Sequence, residues 1–177
     1  LLKQYFENER ERQFSQSCEG PRFPTADFQL THQLLHVLGH YLSGGIGLRQ
    51  MMDLYYSQQA CIKQYPEKIP EILDLFEQMG LMKLVTATQW VISEVFCGNT
   101  NSVNQLICKP NEKEGKSLLD AIEVGGNFGQ YNTDHIKKDK TSFGRFWRKW
   151  TRLLKYDFLG AIVMPFERLR LEAWIRT

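Results

Sequence analysis

Long apolar runs are missing from this sequence, and none exceeds a few residues. A transmembrane helix needs about 20 such residues in a row, and a secretory signal needs a shorter continuous apolar core, so neither is expected. Closely spaced cysteines are missing too. Cys18, Cys61, Cys97 and Cys108 form no C-x-x-C and no zinc-knuckle spacing. Isolated thiols in a chain without a secretory signal read as reduced, buried groups of a cytoplasmic protein. No segment alternates apolar and polar residues as a half-buried strand would, and none repeats. An initiating Met is absent as well. The chain opens on Leu1-Leu2, in mid-pattern, as a processed or truncated chain would.

What is present is ordinary for a folded protein. The 177 residues are 42% apolar, 24% charged and 12% aromatic, which excludes a disordered or collagen-like chain. The length suits one domain, or a large part of one, with a real core. Net charge is only +2, but it is unevenly placed. Residues 137–177 hold 11 Lys and Arg against 4 Asp and Glu, whereas residues 1–136 hold 11 against 16. A basic C-terminal quarter is therefore attached to a mildly acidic body.

Periodicity and punctuation predict helices nearly throughout. The first covers residues 1–17, charged and exposed apart from Leu1, Leu2, Tyr5 and Phe6. After the break at Gly20-Pro21 and Pro24, Thr25 or Asp27 can cap a helix to about Leu42. Gly44-Gly45 ends it, and a third helix spans about Ile46 to Ala60. Pro70 can open a fourth that ends at Gly80. Leu81 to Phe96, apolar on most faces, reads as the central buried helix. Residues 99–115 read as a loop, and Ser117 with Asp120 as a capping box for a short helix ending at Gly125-Gly126. Two basic helices follow, over about 142–156 and 165–176. The expected fold is all-α, an irregular bundle of about seven or eight helices. It divides into an N-terminal helix and connection (1–24), a helical core (25–136) and basic C-terminal helices packed on the core (137–177).

Three stripes carry candidate chemistry. His32, His36 and His40 recur every four residues and occupy about an 80° arc of their helix. Leu30, Leu34, Leu35, Val37, Leu38, Tyr41 and Leu42 fill the opposite face. The histidines then meet water, a ligand or another surface. Two imidazoles at i, i+4 can chelate zinc, but His36-Val-Leu-Gly-His40 lacks the glutamate of the zincin motif, so no metal ligands are assigned. On the third helix Arg49, Gln50, Asp53 and Ser57 share one side, and the rest is so apolar that the helix should be largely buried. Arg49 and Asp53 are then either a structural pair or an Arg fork offered to a phosphate and oriented by Asp53. In 142–156, Phe143, Phe146, Trp147, Trp150, Leu153 and Leu154 oppose Arg145, Arg148, Lys149, Arg152 and Lys155. That basic face is either solvated or binds nucleic acid, an anionic surface or an acidic partner.

Two segments resemble the uncharacterised bacterial nucleotidyltransferase family. One is His32-Gln-Leu-Leu-His36-Val-Leu-Gly-His40-Tyr-Leu-Ser-Gly-Gly45-Ile-Gly47-Leu-Arg49-Gln-Met-Met-Asp53. It is similar to that family's H-L-L-x-H helix, Gly-rich turn and G-I-G-L-R-Q-x-x-D run. The other, Gly125-Gly-Asn-Phe-Gly-Gln-Tyr-Asn132, is similar to its G-N-F-G-x-Y-D stretch. The resemblance implies a polymerase-beta-like fold, in which a small mixed sheet precedes a helical region. It also implies transfer of a nucleoside monophosphate from an NTP, with Mg²⁺ held by a D-x-D pattern after a Gly-Ser turn. No D-x-D occurs here. The chain therefore resembles only the C-terminal helical portion, with the catalytic sheet missing, and should not catalyse the reaction alone. No cofactor is expected in it, while Mg²⁺ and NTP belong to the intact parent.

By that reading Arg49 contacts phosphate, Asp53 orients it, and His36 and His40 donate hydrogen bonds to phosphate or acceptor. Gly45 and Gly47 either make a plain turn or offer backbone N–H groups to an anion. The expected partners are the missing N-terminal catalytic domain of the same protein and an unknown acceptor. Two rival readings stand beside it: a non-catalytic binding module working through the basic helix, and a His-based metal hydrolase.

Overall fold

A computed structural model describes residues 2–15, 23–43, 45–97 and 106–125, together with Trp147, Trp150 and Thr151. The fold is all-helical. Among the described residues there are six α-helices, one short 3-10 turn and no strand. The helices are α1 (Leu2–Ser15), α2 (Ala26–Ser43), α3 (Leu48–Gln64), α4 (Ile69–Gln78), α5 (Met82–Val95) and α6 (Glu112–Gly125), with the 3-10 turn at Pro66–Lys68.

The core sits around α5, as its apolar make-up predicts. Leu84, Val85, Ala87, Val91 and Ile92 of α5 are buried, along with Thr88 and Gln89. Helices α3, α4 and α6 all pack against α5, and α2 packs closely on α3. Leu30, Leu34, Val37 and Tyr41 of α2 join the same core, with Leu35 and Leu38 packed partly against it. Helix α4 ends where the sequence says it should. Gly80 takes a left-handed φ of 72°, and the Leu81 N–H reaches back to the Phe76 carbonyl at 2.9 Å, closing the helix with a bond that favours glycine.

Two boundaries differ from expectation. Helix α3 continues one turn past Ala60, to Gln64. Helix α6 begins at Glu112 rather than Ser117, because Asn111 is its cap: the Asn111 side-chain oxygen accepts the Glu114 N–H at 3.2 Å. Starting there puts Gly115 inside the helix, against Trp90 of α5. A Cβ at position 115 would lie 2.5 Å from Trp90 Cβ and Cε3. Glycine at this position lets the two helix surfaces approach that closely. The helices expected over 142–156 and 165–176 lie outside the described residues. So do residues 126–132 of the second motif. Only Trp147, Trp150 and Thr151 are described there. They are helical, and Trp147 is 52% exposed with its ring 4.9 Å from that of Trp150. Among the described residues no helix is long and apolar enough to cross a membrane.

Candidate functional site

The first motif folds into the α2–α3 hairpin. Because the leucines, Val37 and Tyr41 claim the inner face of α2, the histidines are turned outward. His32 and His36 are exposed and His40 is half-buried. Their rings continue a ladder that starts on α1. Phe6 meets Phe28 edge-on at 5.9 Å, Phe28 stacks on His32 at 6.4 Å, and His32 stacks on His36 at 6.0 Å. The last step is different. The rings of His36 and His40 stand edge to face at 4.4 Å, with their Nε2 atoms 3.1 Å apart. One nitrogen must donate and the other accept, so only one proton lies between them. Burial, and then the nearby charge of His36, hold the His40 imidazolium below its usual pKa. His32, Leu35, His36, Gly39 and His40 line an open groove of about 400 Å³ beside them.

The turn between the helices uses its own glycines. Gly45 has φ 134°, in the region that favours glycine, and its N–H donates to the His40 carbonyl at 3.0 Å. The Gly47 N–H donates to Gln50 Oε1 at 3.0 Å, opening α3. Both N–H groups are thus engaged in making the turn, and the structure gives them no free direction in which to hold an anion.

Helix α3 departs from its expected burial. Its inner face carries Gln50, Met51, Leu54, Gln58 and Cys61. Arg49 and Asp53 are exposed, and so are Leu48, Met52 and Tyr56, the last at 64%. No ion pair joins Arg49 to Asp53 among the described residues. Apolar residues cover nearly every side of α3, so composition could not say which side faces the core. Packing against α2 and α5 selects the side that carries Gln50 and Gln58. The polar residues of the motif are therefore brought onto one hairpin but not into one cavity: the described lining of the His groove comes from α2 alone.

Three polar clusters went unread in the sequence. Arg12 of α1 forms a fork to Glu9, at 2.6 Å, and to Asp27 of α2, at 2.5 Å. Asp27 is only 4% exposed, and its second oxygen, Oδ1, has no hydrogen-bond partner. Gln13 adds bonds to the side chain and backbone N–H of Thr25, so the Thr25 hydroxyl is turned to α1 although the residue stands at the start of α2. Tyr5 donates to Thr31 at 3.0 Å, and burial first of all pushes its pKa up to about 12. Nothing local in the sequence links residues 15 or 26 positions apart. Deeper in the core, Gln89 donates to Gln58 Oε1 at 2.9 Å and accepts the Ile107 N–H at 3.1 Å. A glutamine in the middle of an apolar helix was the available signal. Of the three described thiols, two are buried as expected. Cys61 and Cys97 are buried and Cys108 is half-buried, and burial pushes Cys61 and Cys108 up to about 11.

Arg145, Arg148, Lys149, Arg152 and Lys155 of the basic helix lie outside the described residues. Among the described residues no group of three or more His, Cys, Asp and Glu side chains is arranged to hold a metal ion. No family model, curated protein or solved structure matches this chain. The family reading is carried by the motif residues alone.

Proposed function

We propose that this chain is the helical region of a nucleotidyltransferase-like protein whose intact form transfers a nucleoside monophosphate from an NTP to an acceptor. The observation that supports it most is where the motif residues lie. Arg49, Asp53 and His36 are exposed, while the hairpin is built by the Gly45 and Gly47 turn bonds and by inner faces that carry leucines, Met51, Gln50 and Gln58. Side chains that the hairpin does not need for folding are available to a ligand.

In this proposal Arg49 gives its planar fork to a phosphate. Asp53, one turn on along the same face, biases the Arg49 side chain toward the ligand. His36 and His40 contribute N–H donors. Gly45 and Gly47 shape the turn and do not contact the ligand. Mg²⁺ would be held by the catalytic sheet of the intact parent that the resemblance implies, where it would neutralise the triphosphate.

The test is to incubate the longer protein implied by this reading with Mg²⁺ and each of the four α-labelled NTPs, beside residues 1–177 alone. Transfer of label to an acceptor by the longer protein, and none by the 177-residue chain, is the expected result. A longer protein without a Gly-Ser turn and D-x-D pattern ahead of Leu1, and without label transfer, would sink the proposal.

A further inference from the structure

His36 and His40 stand one turn apart on the outer side of α2 with their Nε2 atoms in contact, and we infer that the pair is a two-ligand site for a borderline divalent cation such as Cu²⁺, Ni²⁺ or Zn²⁺. The two Nε2 atoms lie 3.1 Å apart. Metal–imidazole bonds of about 2.0–2.1 Å place two nitrogens about 3.3 Å apart around a tetrahedral ion, and about 2.9 Å apart at adjacent corners of a square-planar one. The observed separation falls between these values. The ion can replace the shared proton once both rings turn their Nε2 lone pairs off the N···N line toward it.

The surroundings define what kind of ion fits. His32 does not join the pair. Its ring lies nearly parallel to that of His36, at an interplanar angle of 16° and 6.0 Å away, so it stacks rather than converges. No third ligand is grouped with the pair among the described residues. Two imidazoles without a carboxylate suit copper, nickel and zinc, and disfavour magnesium and calcium, which demand oxygen ligands. Space is left for the remaining coordination positions. A Cβ at Gly39, on the same groove, would meet nothing within 4 Å. Water, or a donor atom of another molecule, would complete the shell there. Such an ion ties together residues one turn apart, and so staples the C-terminal half of α2. None of this depends on the nucleotidyl-transfer reading.

The experiment titrates the chelator-treated 177-residue chain with CuCl₂, NiCl₂, ZnCl₂ and MgCl₂, by calorimetry and by thermal unfolding. The expected result is one equivalent of Cu²⁺ bound more tightly than Ni²⁺ or Zn²⁺, no binding of Mg²⁺, and a Tm that rises with ion concentration. His36→Gln and His40→Gln should each weaken Cu²⁺ binding by roughly tenfold or more while leaving the metal-free Tm unchanged. His32→Gln should leave both nearly as they are. The site is refuted if none of the three ions binds, or if His36→Gln and His40→Gln bind as the parent chain does. Equal losses from His32→Gln and His36→Gln would also overturn the two-ligand assignment. Metal binding that survives the loss of label transfer in the longer protein, or the reverse, separates this site from the proposed function.

Discussion

Among the described residues, helix pairs α2–α3 and α5–α6 are the two most extensively packed, and they place their polar residues differently. In α5 the buried polar side chains, Thr88 and Gln89, are hydrogen-bonded. Gln89 is fully buried, yet it bonds both Gln58 and the Ile107 backbone, and Gly115 lets α6 lie against Trp90. In α2–α3 the residues with the richest chemistry point outward. His32, His36, Arg49 and Asp53 are exposed, while leucines and glutamines pack inside. A buried polar group has to be paired because an orphan costs about 1–3 kcal/mol. An exposed one is under no such constraint, so its identity is free to serve something other than folding.

That contrast can be broken by substitution. The largest effect is expected from Gln89→Ala, which opens a cavity and leaves both Gln58 Oε1 and the Ile107 N–H without this partner. Destabilisation of at least about 2 kcal/mol should appear in urea unfolding. Gly115→Ala comes next. Its new Cβ collides with Trp90, and overpacking of about 1–3 kcal/mol should outweigh the helix propensity that alanine gains. A Tm at or above the parent value would show that α5 and α6 are not locked by this contact. The smallest effects belong to the hairpin's outer face. Arg49→Ala, Asp53→Ala and His36→Gln should each change stability by no more than about 0.5 kcal/mol. A loss of 2 kcal/mol from any of them would place that residue among the structural ones and erase the difference between the two pairs.

Most of the fold could be read from the sequence because most of it is local. The leucine spacing of α2, the Gly80 stop of α4 and the apolar faces of α5 are each set within a few turns of chain. Helix α6 shows the limit. Ser117 and Asp120 offered a plausible start, but Asn111 caps the helix nearly two turns earlier. Both caps are locally sensible, and packing of Gly115 on Trp90 goes with the earlier one. The candidate site was legible in part. The outward turn of the histidines follows from the apolar face opposite them. The facing of α3 did not follow, because Leu48, Met52 and Tyr56 look as buriable as Met51 and Leu54, and only the neighbours α2 and α5 distinguish them. The 3.1 Å approach of His36 to His40 depends on side-chain rotamers, which spacing alone does not set. The Arg12–Asp27 pair depends on where α1 docks, and no local pattern reports that.

The outer face of the hairpin is the part of the molecule on which a functional reading stands or falls. Its most direct test is the affinity of the longer protein that the proposal implies for Mg²⁺-ATP, GTP, CTP and UTP before and after Arg49→Ala, with the Tm of both proteins recorded. Removing a charge-assisted contact to phosphate should weaken binding of the accepted nucleotide about 10–100-fold at unchanged Tm. Equal affinity at equal Tm would contradict it and remove Arg49 from the site.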